Sequence, residues 1–270
     1  MEPLRIHTFG GLRIESGKKT VTGFETRKAE ALIVYLVCTQ RPQLREVLAD
    51  LLWDERSHHQ ALSNLRVVLT SLRKKLGPYF TITRQTIAAN ADTKIWSDVG
   101  EFEALLEAVH KAGGISSPQE AERAEQAVNL YRGEFLEGFY IRESRGFEEW
   151  LVQERERLHR LAIAALHDLV AYDLQSGAYQ SGMDRAARLL ALEPFNEAGH
   201  RQMMELLAHR GLRNEALAQY ESCRRLLWDE RSHHQALSNL RVVLTSLRKK
   251  LGPYFTITRQ TIAANADTKI

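Results

Sequence analysis

The chain has 270 residues, 44% of them hydrophobic and 26% charged, with a net charge of +3. That is the composition of a globular protein, and the longest apolar run, around Ala31 to Cys38, is far shorter than the roughly 20 residues a bilayer crossing needs. The small net charge hides an asymmetry that excludes an evenly neutral surface: residues 1–95 carry 15 Lys+Arg against 9 Asp+Glu, residues 96–225 carry 15 against 22, and residues 226–270 carry 7 against 3.

In chain order, Leu4 to Gly10 alternates Leu4, Ile6 and Thr8 with Arg5 and His7 and ends in Gly10-Gly11, a hairpin signal. Leu12 to Glu15 is a second short strand, Ser16 to Lys18 a turn, and Lys19 to Phe24 a third strand. The spacing predicts helix 1 over Thr26 to Thr39, with Ala29, Leu32, Ile33, Leu36 and Val37 on its buried side. Pro42 closes the link to helix 2, Gln43 to Trp53, where Leu44, Val47, Leu48, Leu51 and Leu52 form the apolar face. Helix 3 spans Ser57 to Gly77. Pro78 to Asn90 alternates again, turns near Arg84 to Thr86, and reads as a hairpin of wing size. A small sheet, three helices and a terminal hairpin, in that order, spell a winged helix-turn-helix.

Helix 3 organises the chain. Leu62, Leu65, Leu69, Leu72 and Leu76 recur at spacings of three and four and share one side of an α-helix. The opposite side carries Gln60, Ser63, Val67, Thr70, Ser71 and Lys74, flanked by Asn64, Arg66, Arg73 and Lys75. That face is polar, uncharged in its centre and basic at its rim. In a major groove, amides and hydroxyls suit base edges, a Val suits a thymine methyl, and cations suit phosphates. Ser63, Asn64, Val67, Thr70 and Ser71 are therefore the candidates for base edges. His59, Arg66, Arg73, Lys74 and Lys75 are the candidates for phosphates, Arg84 at the hairpin tip for a groove contact by the wing, and Arg45 and Arg56 are further cations within reach of phosphates. The basic head on an acidic body fits a double-stranded DNA partner for the first part of the chain only.

From Trp96 onward the pattern is helical. Val99 to Ala112 is one helix, Ser117-Pro118 starts another that runs to about Arg132, and Phe147 to Ser176 is a long amphipathic run. A period of 34 then relates Gly177 to Gly211, Gly182 to Ala216 and Ala186 to Tyr220. Thirty-four is the tetratricopeptide period, and the small residues read as sites of close helix packing. Finally, residues 226–270 repeat residues 51–95 letter for letter, at an offset of 175. This copy lacks the three strands and the first two helices, so its leucine face has no partner core and an independent domain is not expected. Perfect identity points to a join at the shared LLWDE in a piece of a longer protein, and the second basic set (Arg241, Arg248, Lys249, Lys250) carries little functional weight.

Two sets of residues carry a family resemblance. In residues 1–95 they are the Phe9-Gly10-Gly11 opening and the A-L-x-N-L-R-x-x-L-x-x-L-R-K-x-L-G helix from Ala61 to Gly77. In residues 96–225 they are Y-R-G-E-F-L from Tyr131 to Leu136, Glu149-Trp150, Arg155, E-P-F-N-E from Glu193 to Glu197, Met203-Met204, Arg213 and Tyr220. The chain resembles the SARP-type (antibiotic regulatory protein) activators, a winged helix followed by a bacterial transcriptional activator domain. After Glu230, where that family continues into E-L-G-x-x-P, this chain has Arg231 to His234. The resemblance implies a cytoplasmic transcriptional regulator, usually an activator, that binds repeated promoter sites as a pair of protomers and contacts RNA polymerase subunits.

The expected fold is mainly α: an N-terminal α+β winged helix-turn-helix over 1–95 and an all-α tetratricopeptide-like helical repeat domain over 96–225. No enzyme, cofactor, metal or membrane role is expected. Gly11 to Lys19 has the wrong spacing for a phosphate loop and Lys19 where a Ser or Thr is needed. His58 and His59 diverge by about 100° on a helix, and no third ligand stands at helical spacing from both. No nucleophile elbow is present. Cys38 and Cys223 read as buried thiols of a reducing compartment, and the opening MEPLRIHTFG lacks the pattern of a secretory signal. The alternative reading is a scaffold whose winged helix and helical repeats dock only protein partners. The polar, basic-rimmed face of helix 3 favours DNA over it.

Overall fold

A computed structural model describes residues 2–230 and the strands Phe255–Ile257 and Ile262–Ala264. The chain forms two compact units that do not follow chain order: residues 1–110 with 126–162, and residues 111–125 with 163–270. The architecture is mainly α, with a winged helix-turn-helix at the start and helical repeats after it.

In the first unit, β1 (Leu4–His7) pairs antiparallel with β2 (Arg13–Ser16), which pairs with β3 (Lys19–Thr20). The alternation in β1 buries Leu4 and Ile6 completely. The third strand is only two residues long, where Lys19 to Phe24 was expected. A fourth strand, β7 (Ile95–Ser97), pairs parallel with β1 and was not marked by periodicity. Just past it, the buried Asp98 carboxylate accepts hydrogen bonds from the Thr8 and Phe9 amides and the Thr8 hydroxyl at 2.7–3.0 Å.

α1 (Arg27–Thr39) buries Ala29 and every residue from Ala31 to Val37, not one stripe. The reason lies in α6 (Arg145–Ser176), whose Trp150 packs edge-on against Tyr35 at 5.0 Å, so the side of α1 expected to face water is covered as well. The predicted second helix starts later than expected. Gln43–Leu44 form β4, paired with the wing, and α2 runs Arg45–Trp53. In β4 the pleat turns Gln43 inward and Leu44 outward. Leu44 is 53% exposed and Val47 46%, so neither joins the core expected for them. α3 (His58–Leu76) follows a short turn, and the wing is β5 (Phe80–Ile82) against β6 (Thr86–Ala89), with Phe80 opposite Ala89. α4 (Asp98–Lys111), α5 (Pro118–Leu130) and the start of α6 complete the helical material nearest in sequence.

In the second unit, α7 (Tyr179–Leu192) and α9 (Arg213–Glu230) begin 34 residues apart, with α8 (Glu197–His209) between them. Asn196 caps α8 by accepting the Gly199 amide at 2.7 Å. Buried His200 accepts from Gln219 at Nδ1 and donates from Nε2 to the Pro194 carbonyl, which defines its tautomer. The small residues at the repeat period divide into two roles. Gly182 is a packing site, since a Cβ there would stand 2.6 Å from Leu206 Cδ2. Gly177 and Gly211, expected to be packing sites too, have φ of 78° and 75° and end helices in the left-handed region.

Both cysteines are free, Cys223 buried and Cys38 partly so, and burial pushes both thiols up, Cys223 to about 11. Among the described residues, no helix is long and apolar enough to cross a membrane. In the duplicated segment, Phe255–Ile257 pairs with Ile262–Ala264 in the register of the first wing, Phe255 opposite Ala264. The second copy of helix 3, with Arg241, Arg248, Lys249 and Lys250, lies outside the described residues.

Candidate nucleic-acid interface

α3 starts where Ser57 accepts the Gln60 amide at 3.4 Å, a side-chain N-cap. Ala61, Leu65, Val68, Leu69, Leu72 and Leu76 hold the helix against the core. Leu62, expected with them, is only partly buried. Residues 54–57 separate α3 from α2, the turn length of a helix-turn-helix.

The outward face holds most of the predicted residues. His59, Arg66, Val67, Thr70, Arg73 and Lys74 are exposed, and Ser63 and Asn64 are partly exposed. Val67, in the centre, is 57% exposed. Asn64 Oδ1 accepts from the Gln60 side chain at 3.3 Å, which leaves the Asn64 amide group to donate elsewhere. The Thr70 hydroxyl donates to the Arg66 carbonyl at 2.9 Å and keeps its lone pairs.

Two predicted residues are placed differently. Ser71 is 8% exposed, on the buried side, and cannot reach a base edge. The Lys75 ammonium donates to the Thr22 carbonyl at 2.8 Å and lies 5.3 Å over the Phe24 ring, so it braces the loop after β3.

Arg84 stands in the wing turn, which the Thr83 hydroxyl oxygen closes by accepting the Gln85 and Thr86 amides. It shares a cavity of about 390 Å³ with Arg45, Arg66, Leu44 and Leu62. Burial, then the nearby Arg73 and Arg66 charges, hold the Arg45 guanidinium below its ordinary value, and its buried Nε–H has no acceptor among the described residues. Four arginines, Arg45, Arg66, Arg73 and Arg84, thus gather at one side of α3; Glu46 lines the same cavity, but none of the four forms an ion pair among the described residues. Their mutual repulsion is relieved by a polyanion. Sequence alone marked Arg45 as a cation, but its place beside Arg66 depends on β4, which periodicity could not reveal.

The bacterial transcriptional activator domain family matches residues 97–244. The chain belongs to this family. Within it, the chain is 27% identical over 234 residues to the regulatory protein AfsR of Streptomyces coelicolor and 26% identical over 234 residues to AfsR of Streptomyces griseus. These alignments take in 84% and 85% of this chain but 22% and 23% of the relatives, so the chain spans less than a quarter of their length. Among solved structures, Mycobacterium tuberculosis EmbR in complex with a low-affinity phosphopeptide shares the fold, with a TM-score of 0.67 and 19% identity over 91% of this chain and 66% of that one. The order expected from the resemblance, a winged helix followed by a bacterial transcriptional activator domain, is the order found.

Proposed function

We propose that the protein is a cytoplasmic, sequence-specific DNA-binding regulator, an activator, whose α3 enters the major groove. The winged helix over 1–95 reads promoter repeats, two protomers bind side by side on DNA, and the helical domain over 96–225 contacts protein partners, RNA polymerase subunits among them. The observation that carries this reading is the arginine group, Arg45, Arg66, Arg73 and Arg84, without an ion pair among the described residues, beside a strip with exposed Val67 at its centre. Unpaired cations around a polar strip suit phosphates around base edges. In this assignment Ser63, Asn64, Val67 and Thr70 meet bases, and His59, Arg66, Arg73, Lys74 and Arg84 meet phosphates. Exposed Leu44 and Val47 suit a protein contact and favour the scaffold reading.

The test is selection of binders from a random duplex pool with the whole chain, then a salt titration on the winning sequence. Enrichment of a direct repeat about one helical turn apart, with a steep salt dependence, is the expected result. No enrichment, with weak binding to every duplex, overturns the reading and moves the scaffold ahead.

A further inference from the structure

A second basic cleft, of about 910 Å³, opens at the other edge of the α3 strip. Gln60 and Asn64 line it from α3, and Tyr140 to Glu143 line it from the loop between α5 and α6. This loop lies in the activator-domain part of the sequence, outside the winged helix, yet within the same compact unit.

The loop is clamped in place by cations. Arg27 donates to the Tyr140 carbonyl at 3.3 Å and lies over the Phe139 ring at 5.2 Å. Lys28 donates to the Leu52 carbonyl at 2.6 Å and the Glu143 carbonyl at 2.8 Å. Arg56 pairs with the Glu143 carboxylate. Glu143 itself has φ of 54°, a left-handed conformation that a glutamate adopts only when its surroundings impose it. What this clamp displays is Tyr140, 59% exposed, and the exposed Arg142, whose guanidinium makes no ion pair or hydrogen bond among the described residues. The cleft holds four cations against one carboxylate.

Position decides the occupant. At 100° per residue, Asn64 at the edge of this cleft and Arg66 at the edge of the Arg45–Arg84 cavity lie about 160° apart around α3. Val67, Thr70 and Lys74 fall between them. The two basic clefts therefore flank the exposed strip on opposite sides, as the two phosphate backbones flank a helix in a major groove roughly 12 Å wide.

We infer that the 139–143 loop is a DNA-backbone contact, in which the Arg142 guanidinium takes a phosphate on the strand opposite the wing and the Tyr140 hydroxyl donates to a neighbouring phosphate oxygen. The inference rests on the DNA reading above. The activator domain thereby contributes to DNA affinity directly, in addition to any contact with protein.

The experiment compares the whole chain with Arg142→Ala, Arg142→Lys and Lys74→Ala on the selected duplex and on a scrambled one, by fluorescence anisotropy across a salt series. Arg142→Ala is expected to flatten the log–log salt slope by about 0.9, the loss of one phosphate contact, and to weaken binding to both duplexes alike. Arg142→Lys keeps the slope, and the melting temperature of Arg142→Ala matches the parent because the side chain has no partner to lose. If Lys74→Ala flattens the slope and Arg142→Ala does not, the loop assignment falls while the DNA reading stands. If the parent binds no duplex, the DNA reading falls and this inference with it.

Discussion

Lys74 and Lys75 are adjacent in sequence and separated in use. Lys74 is exposed on the outward strip, whereas Lys75 is tied to the Thr22 carbonyl and the Phe24 ring. Lys74→Ala is expected to weaken binding to every duplex and to flatten the salt slope by about 0.9. Lys75→Met is expected to leave the slope alone and to lower the melting temperature by roughly 2–4 °C, through loss of a cation–π contact and a hydrogen bond. Asn64→Ala or Val67→Ala should cost roughly 1–3 kcal/mol on the selected site and little on a scrambled duplex. A change of site preference in Lys74→Ala with an unchanged slope refutes the assignment of the strip. The centre of the strip was legible because helical periodicity places Val67, Thr70 and Lys74 opposite the leucines. Its margin was not, because the width of the buried arc depends on what packs against the helix. Ser71 lies only 40° from Val67 by helical geometry and is nonetheless buried.

At the scale of elements, long helices could be read and short strands could not. β4 and β7, two and three residues long, exist only through pairing with the wing and with β1, and no local pattern announces them. The same holds for α1, whose apolar residues were read as one face because nothing in its own sequence shows that α6 covers the other. In the repeats, sequence marked Gly182 and Gly177 alike, and they should respond differently. Gly182→Val is expected to destabilise by roughly 1–3 kcal/mol in urea melts, since the new atoms meet Leu206 Cδ2 and Asp173 Cβ. Gly177→Asn is expected to be nearly neutral, as asparagine tolerates the left-handed region and a Cβ there meets nothing within 4 Å. Arg185 of α7 joins Asp173 of α6 to Glu125 of α5, at 2.6 and 2.7 Å. Burial raises the Asp173 carboxyl above its ordinary value although Arg185 opposes this. The native state therefore holds that proton more tightly than the unfolded chain, so its contribution to stability is full below the ordinary carboxylate range and is lost as pH rises through the raised value. Arg185→Gln removes the opposing charge and raises Asp173 further. Its melting-temperature deficit against the parent should be larger at about pH 7 than at about pH 5, and a deficit equal at both excludes this account.

For the whole molecule, fold class and family order were legible because composition, helical period and motif all agree, while the interleaving of the compact units was not. Charge makes a prediction at this scale. Lys74 and Lys249 occupy the same place in the two identical copies, but the second copy repeats residues 51–95 alone, without the sequence of β1 to α1 ahead of it. Lys74→Ala should change the salt slope and Lys249→Ala should not, and equal effects would show that both copies meet DNA. The pairing of β1 with β7 reaches further. A strand four residues into the chain finds its parallel neighbour at Ile95, and the Thr8 and Phe9 amides find their acceptor in Asp98. A gene crossover at the seam after residue 95 would carry off a sheet with one edge bare and two amides orphaned. An engineer who wants a portable head has to move the residues that follow the seam along with it.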